Sequence, residues 1–194
     1  MTEIMTESGS EPKLRNQIER TEFEIKAAPA VCLSDAIDTD LIIAGRYLRT
    51  KDIQIWAEHA FEDLDPKLHT RLHGSVIVAG KNFGCGSSRE QAAVAIQAAG
   101  VQAVIAASFA RIFFRNALNI ALPLFEVPDI VCTDDDLIDC SLATGMVTVR
   151  DKAGRVKVFY ARPLSARMKD IIQNGGLAPY IKERMEKRMV TRSR

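Results

Sequence analysis

The stretch SVIVAGKNFGCGSSREQAAVAIQAAG, residues 75–100, decides the fold of this 194-residue chain. Its first five residues, 75–79, form a short apolar run that predicts a buried β-strand. Closely spaced glycines follow, which allow the backbone to take unusual conformations and to approach other groups closely: Gly80, Gly84 and Gly86. The sequence Ser-Ser-Arg-Glu then leads into an alanine-rich segment, which predicts a helix that ends at Gly100.

The residues between the glycines and the helix indicate an anion-binding site. Ser87 and Glu90 stand at the spacing of a capping box, which predicts that they begin the helix together. Free backbone N–H groups and the positive end of the helix dipole both favour a bound anion there. Arg89 has the geometry to hold a carboxylate through two hydrogen bonds. The alternative is that Ser87 and Ser88 only cap the helix and that Arg89 forms a surface ion pair.

The same loop limits the chemistry that the chain performs by itself. A serine hydroxyl is a weak base unless a neighbouring base or a positive environment stabilises its alkoxide. No histidine lies near Ser87 in the sequence, so the helix terminus and Arg89 are the available stabilising groups. The Gly84-Cys-Gly86 pattern lacks the third glycine of a dinucleotide-binding loop, because Arg89 occupies that position, and no Walker motif occurs. A small acid therefore suits the loop better than a pyrophosphate does.

The pattern of strand and helix continues beyond Gly100 and predicts the α/β class. An apolar strand at 101–107, a helix at 109–118 headed by Ser108, and an extended segment at 120–127 follow in turn. Such alternation indicates parallel strands joined by helical crossovers. Pro123 indicates that the last segment is an edge strand or contains a break.

The rest of the chain supplies a second set of elements to a single domain. We predict short strands at 22–26 and 30–33, a helix at 52–61 capped by Thr50 or Asp52, a β-hairpin formed by 146–150 and 155–160, and helices at 163–174 and 177–189. Asp134-Asp-Asp136 is interpreted as a solvated turn or a helix start. Residues 1–20 are predicted to be a flexible extension and residues 21–194 a single domain.

Composition excludes several classes of protein. Hydrophobic residues make up 47% of the chain, charged residues 26%, and the net charge is +1, which argues against a general binder of nucleic acid or membrane surfaces. No apolar run is long enough to span a membrane, and the polar N-terminus shows no secretory signal. The four cysteines have no C-x-x-C spacing, which favours free thiols and a cytoplasmic location.

Acidic and histidine residues give no clear metal motif. Asp35, Asp38 and Asp40 are spaced closely enough to be metal ligands or acid–base groups, but turns and helix caps made by Asp and Thr side chains are the favoured interpretation. The histidines are scattered and match no metal-binding pattern: His59, His69 and His73. We therefore expect no metal site in this chain.

Three motifs together resemble the swivel domain of the aconitase superfamily. The first is the run 82–91, Asn-Phe-Gly-Cys-Gly-Ser-Ser-Arg-Glu-Gln. The second is Ser-Phe-Ala-Arg-Ile at 108–112 followed by Asn116, and the third is 35–40, with Ala36 where the family usually has Asn. The motifs lie in family order, and the length of the chain suits the free-standing small subunit of an isopropylmalate isomerase.

The resemblance implies a swivelling β/β/α domain that works with a large partner subunit carrying a [4Fe–4S] cluster. It also implies dehydration and rehydration of a hydroxy di- or tricarboxylate. Ser87 would be the base that removes a proton next to a carboxylate, while Ser88 and Arg89 would bind the substrate carboxylate. Iron in the partner would accept the hydroxyl as a Lewis acid. The leading expectation is isopropylmalate isomerisation in leucine biosynthesis, by a complex that is inactive without its large subunit.

Two departures from the family pattern leave the substrate open. Residues 31–34 lack the further substrate arginine that full-length aconitases carry before the Asp35–Asp40 motif. The segment Tyr47-Leu-Arg-Thr50 occupies the position that selects the substrate, where an apolar residue suits an isopropyl group. Arg49 instead resembles the homoaconitase version, in which arginine meets an extra carboxylate, although Arg49 pointing to solvent is equally compatible with the sequence. Alternatives are therefore a homoaconitase or dimethylmalate-type dehydratase, and, in a different class, a non-catalytic domain that binds small organic anions.

Overall fold

The computed structural model describes residues 23–192, whose centre is a seven-stranded sheet. The strands run along the sheet in the order β4-β3-β2-β1-β5-β6-β7. Their bounds are β1 Glu24–Cys32, β2 Val76–Ala79, β3 Ala103–Ala106, β4 Leu124–Glu126, β5 Leu137–Ser141, β6 Met146–Arg150 and β7 Val156–Tyr160. The predicted extension at 1–20 lies outside the described residues.

Within residues 23–192, six α-helices accompany the sheet. They are α1 Thr39–Ile42, α2 Ile53–Glu58, α3 Glu90–Ala98, α4 Arg111–Asn119, α5 Ala166–Gln173 and α6 Leu177–Arg192, with 3-10 turns at Gly45–Arg49 and Leu68–Arg71. Asp52, one of the two predicted cap residues, caps α2, because its side chain accepts a hydrogen bond from the Gln54 N–H. Within the described residues no helix is long and apolar enough to cross a membrane.

The parallel half of the sheet confirms the α/β prediction. Strands β1, β2, β3 and β4 pair in parallel, and β2 and β3 are buried at every position. Ile77 and Val104 face one core with α2, α3 and α4, whereas Val78 and Ile105 face a second core beneath α5. Strands covered on both faces favour continuous apolar runs over alternation, which is why the sequence pattern was clear here. β4 lies at the edge of the sheet, in agreement with the position of Pro123.

β1 joins the two halves and corrects the prediction of two short strands. It pairs in parallel with β2 through residues 30–32 and antiparallel with β5 through residues 24–29. The register shifts between Ile25 and Ala28, where Ala27 adopts a φ of 51° and donates its N–H to Asp139. This bulge keeps one strand continuous where the sequence pattern is interrupted.

The C-terminal half contains the predicted hairpin, β6 and β7, followed by α5 and α6. α5 begins at Ala166 with Ser165 as its N-cap, three residues later than the predicted start at Pro163, and Gly175 and Gly176 follow its end as expected. The interpretation of 134–136 as a turn is confirmed, but Asp136 is buried and not solvated, because its carboxylate accepts the Thr133 N–H. β5, directly after this turn, was missed. The swivelling motion implied by the family resemblance stays a prediction.

Candidate active-site loop

The glycine loop, residues 80–89, connects β2 to α3 and is hydrogen-bonded along its length to the segment 34–40. Four backbone hydrogen bonds join them, with N–H to carbonyl distances of 2.7–3.3 Å: Gly80 to Ser34, Ala36 to Lys81, Gly84 to Ile37, and Thr39 to Cys85. The Thr39 hydroxyl adds a bond of 3.1 Å to the Ser87 carbonyl. The first and third sequence motifs therefore form one local structure.

Two glycines allow this close approach. Gly84 has a φ of 76°, and a Cβ built on it would lie 2.2 Å from the ring of Phe113. Gly86 has a φ of 87°, and a Cβ there would lie 2.2 Å from the Asp38 carboxylate. Both positions combine a left-handed backbone with a contact that leaves no room for a side chain.

The three carboxylates of segment 34–40 act as caps, turn partners and an ion-pair partner. Asp35 accepts the Lys81 N–H at 2.7 Å. Asp38 caps α1 by accepting the Asp40 N–H at 2.7 Å. No group of three His, Cys, Asp or Glu side chains that could hold a metal occurs among the described residues. The geometry thus agrees with the favoured interpretation of these aspartates.

The start of α3 differs from the predicted capping box. The helix begins at Glu90, its N-cap is Arg89, and no side chain caps it. Ser87 lies two residues before the N-cap, and its carbonyl accepts hydrogen bonds from the Arg89 N–H and the Thr39 hydroxyl. The capping box is therefore wrong, because Ser87 stands too far from the first turn to cap it.

This displacement leaves the two serine side chains available. Ser87 and Ser88 are exposed. Neither hydroxyl makes a hydrogen bond to another of the described residues. They precede a nine-residue helix without a side-chain cap, so its first N–H groups are also unoccupied by side chains. Two hydroxyls and a helix N-terminus therefore face outward at one place.

Arg89 is held beside the serines by residues of segment 34–43. Its Nη1 donates to the Asp40 carboxylate and to the Ile43 carbonyl, the latter at 3.5 Å. The Arg89 side chain is only 19% exposed, whereas Asp40 is 56% exposed. Within residues 23–192 no hydrogen bond engages the Nε and Nη2 groups, so one edge of the guanidinium is left for a carboxylate. Asp40 as the partner of Arg89 was missed, because nothing in their spacing signals the pair.

Arg49 and Thr50 lie at the end of a separate 3-10 turn. Arg49 is exposed and has no hydrogen-bond or ion-pair partner in the described part of the chain. The Thr50 hydroxyl accepts the Asp52 N–H at 3.0 Å. Within residues 23–192 no hydrogen bond or ion pair joins Arg49 or Thr50 to Ser87, Ser88 or Arg89.

A polar cluster fixes the 3-10 turn that carries Arg49. The Tyr47 hydroxyl donates to Glu62, and its ring stacks on His59 with centroids 4.0 Å apart. Arg46 pairs with Glu62 at 3.0 Å and with Asp63. The Tyr47 hydroxyl, followed by Arg46, lowers the pKa of the Glu62 carboxyl, so this carboxylate stays ionised at neutral pH. The turn is therefore well supported although its outer residues are exposed.

The remaining motif residues support the loop from behind. The Ser108 hydroxyl accepts the Asn82 N–H at 2.9 Å instead of capping α4, whose N-cap is Ala110. Asn116 is 6% exposed, and its Nδ2 group has no partner within the described residues. Burial, and secondarily the Asp38 charge, raises the pKa of the Cys85 thiol, which donates to the Ala36 carbonyl. Cys85 is thus kept as a protonated loop residue.

Comparisons with known proteins agree with the motifs. The family model described as Aconitase C-terminal domain matches residues 1–127. The chain is 44% identical over 154 residues to the 3-isopropylmalate dehydratase small subunit of Thermodesulfovibrio yellowstonii, covering 78% of this chain and 90% of that protein. It is 48% identical over 152 residues to the protein of the same name from Heliobacterium modesticaldum, covering 77% and 90%.

A solved structure extends the similarity to three dimensions. The crystal structure of 3-isopropylmalate dehydratase (leuD) from Methanocaldococcus jannaschii superposes with a TM-score of 0.80 at 38% sequence identity. The match covers 87% of this chain and 99% of that chain. The mixed α/β architecture is therefore shared with an experimentally determined fold.

Proposed function

This chain belongs to the Aconitase C-terminal domain family, and we propose that it is the small subunit of a two-subunit hydro-lyase that isomerises 2- and 3-isopropylmalate. Its identity of 44–48% with two small subunits of 3-isopropylmalate dehydratase, over most of their length, supports this assignment. The reaction is dehydration followed by rehydration, and it places the protein in leucine biosynthesis. Homoaconitase and dimethylmalate-type dehydratases are the alternatives within the same reaction class.

The observation that carries the proposal is the free face of the glycine loop. Ser87 and Ser88 present hydroxyls that have no hydrogen-bond partner among residues 23–192, and they lie beside Arg89, whose position is fixed by Asp40 and the Ile43 carbonyl. This arrangement lies at the family's signature motif, and the chain is similar to named small subunits over most of its length. Loop and family together favour a substrate that carries carboxylates.

We assign Ser87 as the base that removes the proton next to a substrate carboxylate. Its alkoxide would be stabilised by the positive helix N-terminus and by the guanidinium of Arg89. The Ser88 hydroxyl and the Nε and Nη2 edge of Arg89 would hold the carboxylate, which gains charge as the proton leaves. Because Arg89 is mostly sheltered from water, its interaction with an anion is stronger than that of an exposed arginine.

The described residues of this chain do not fit an iron–sulfur cluster. All four cysteines are free, and no group of three or more Cys, His, Asp or Glu side chains among these residues could hold a metal ion. We therefore assign the [4Fe–4S] cluster expected for the family to the large partner subunit. A cytoplasmic location is also part of the proposal and is supported by the free thiols.

The 3-10 turn carries the proposed substrate selection. Within residues 23–192 no hydrogen bond or ion pair joins Arg49 or Thr50 to the loop, but the hydrogen bond between Tyr47 and Glu62 holds their turn in place. We propose that this turn borders the substrate group that differs between isopropylmalate and homoaconitate once the large subunit is bound. An extra substrate carboxylate would meet Arg49, whereas an isopropyl group would lie against its aliphatic stem.

Turnover by the complex with its large subunit tests these assignments. Ser87→Ala should lower kcat by at least about 100-fold, because a general base contributes about 10²–10⁴. The matched control is Ser165→Ala, which removes a serine far from the loop in sequence and should leave kcat unchanged. Wild-type turnover by Ser87→Ala would remove Ser87 from the mechanism.

Substrate choice has its own experiment. The kcat/KM values of the complex for isopropylmalate, homoaconitate and dimethylmalate should be compared between wild type and Arg49→Val. A shift of the preference away from homoaconitate is expected, since the variant loses the positive charge. An unchanged order of preference would show that Arg49 does not select the substrate.

A further inference from the structure

Two of the four cysteines meet in space although they lie far apart in the sequence. Cys32 is the last residue of β1, and Cys132 lies in the segment between β4 and β5. Both side chains are partly buried and pack against the second core, beneath α5. The other two cysteines are elsewhere, Cys85 in the glycine loop and Cys140 buried in β5.

Hydrogen bonds hold the segment 133–136 against the end of β1. The Asp134 carboxylate accepts the Cys32 N–H at 2.8 Å. The Asp135 N–H donates to the Ala30 carbonyl at 3.1 Å, and the Ala30 N–H donates to the Asp136 carbonyl at 2.8 Å. These bonds flank both cysteines, so the folded chain itself brings the thiols together.

The two thiols differ in acidity. The hydrogen bond from Cys132 lowers the pKa of Cys32 and outweighs the opposing effects of burial and of nearby Asp134 and Asp136, with some help from Arg71. The same hydrogen bond, together with burial, raises the pKa of Cys132. A thiolate on one of the two cysteines is therefore stabilised by the thiol of the other, and such a thiolate can attack a disulfide.

Cys132 is reachable from solvent. It lines an open cavity of about 170 Å³ together with Asp136, Arg155 and Lys157. Both Cys32 and Cys132 are only partly buried, in contrast to Cys140.

We propose that Cys32 and Cys132 are a dithiol site that is converted reversibly to an intramolecular disulfide by low-molecular-weight disulfides such as oxidised glutathione. The Cys32 thiolate attacks one sulfur of the oxidant and displaces one glutathione thiolate. Cys132 then loses its proton and attacks the Cys32 sulfur, which displaces the second glutathione thiolate. The protein loses two hydrogen atoms in total, that is two protons and two electrons, and the two molecules of glutathione formed carry them. This site does not depend on the proposed function.

The disulfide has a measurable physical consequence. It closes a long stretch of chain, from the end of β1 to the segment before β5, and so restricts the unfolded state more than the folded one. Such a cross-link raises the midpoint of thermal unfolding by on the order of 5 °C or more in a chain of this size. Reduction should reverse the shift completely.

The test is oxidation of the full, folded chain in glutathione buffers of graded redox ratio. After acid quenching and alkylation under denaturing conditions, intact-mass and peptide analysis identify each cysteine's state. We expect one product, a monomer lacking two hydrogen atoms with Cys32 joined to Cys132, while Cys85 and Cys140 are alkylated. Cys32→Ser and Cys132→Ser should each abolish the product, and the control Cys140→Ala should retain it.

Two results would overturn the proposal. One is a stable glutathione adduct on Cys32 or Cys132 that never resolves to the internal disulfide. The other is a mixture of pairings that is the same whether the chain is oxidised folded or in urea, because then the fold does not select the pair. If Cys140→Ala fails to fold, Cys85→Ser serves as the control, since this test reads mass and not activity.

Discussion

Replacing Gly84 by alanine tests the packing of the glycine loop on α4. An added Cβ would lie 2.2 Å from Cγ, 2.4 Å from Cβ and 2.7 Å from Cδ2 of Phe113. Phe113 is 1% exposed, and its ring packs edge-on against Phe83 with centroids 5.2 Å apart. The ring has no solvent to move into, so the loop, the helix or both must shift.

The expected cost has two parts. The φ of 76° at Gly84 costs a residue with a side chain about 1–2 kcal/mol. Overpacking the core around Phe113 adds about 1–3 kcal/mol. Gly154 is the matched control, because its φ is 78° and nothing lies within 4 Å of an added Cβ. Gly154→Ala should therefore show the backbone cost alone.

Urea unfolding of the two variants and the wild type measures the difference. At equal m-values, Gly84→Ala should lower the free energy of unfolding by about 2–5 kcal/mol and Gly154→Ala by about 1–2 kcal/mol. Each kcal/mol corresponds to about 2–4 °C in Tm at this size. Equal losses in the two variants would refute the claim that the loop is packed against Phe113.

Three further outcomes follow from local contacts. Ser165→Ala should lower the free energy of unfolding by about 1 kcal/mol because Ser165 caps α5. Ser87→Ala should change it by less than about 0.5 kcal/mol, because Ser87 caps no helix. Equal losses in the two variants would indicate that Ser87 does cap α3. The hydrogen bond from Tyr47 lowers the folded-state pKa of Glu62, so its stabilisation is present at neutral pH and is lost as the pH falls below the ordinary 4.5 and through the folded value. Unfolding free energies measured against pH should therefore fall less steeply in acid for Glu62→Gln, and parallel curves would contradict this. Burial raises the pKa of Cys140 to about 12, so at pH 8 iodoacetamide should alkylate it roughly a thousandfold more slowly in the folded chain than in urea, and equal rates would contradict its burial.

The central fold was predictable where local patterns and tertiary structure agree. The strand at 75–79, the helix ending near Gly100, and the strand and helix after it appear as β2, α3, β3 and α4. Strands buried on both faces give unbroken apolar runs, and the glycines mark the connections. The hairpin was equally clear, because its two strands alternate on either side of a turn.

The errors fall where distant residues decide the local structure. β5 was missed because its short alternating pattern follows three aspartates, which suggested a turn or a helix start. In the structure, the side chains of Ile138 and Cys140 pack into the second core and alternate with more exposed residues. β1 was predicted as two strands because a bulge at Ala27 breaks its pattern, and the bonding partner of that bulge, Asp139, belongs to the unrecognised strand.

The candidate site was predictable in its location but not in its contacts. The sequence motifs placed Ser87, Ser88 and Arg89 in one loop before α3, and the structure has them there. Their spacing suggested a cap at Ser87, but the segment 34–40 holds the loop so that the serine hydroxyls have no partner in the part of the chain that the structure describes. The pairing of Arg89 with Asp40 and of Cys32 with Cys132 depends on long-range packing that no local pattern reports.

The most direct test of the proposed function is turnover of 3-isopropylmalate with and without a large subunit from a related enzyme. The account predicts no dehydration by the purified chain alone, turnover by the complex of the two chains, and loss of that turnover in the complex with Ser87→Ala. Dehydration by the isolated chain without partner or iron, or wild-type turnover by the Ser87→Ala complex, would contradict it.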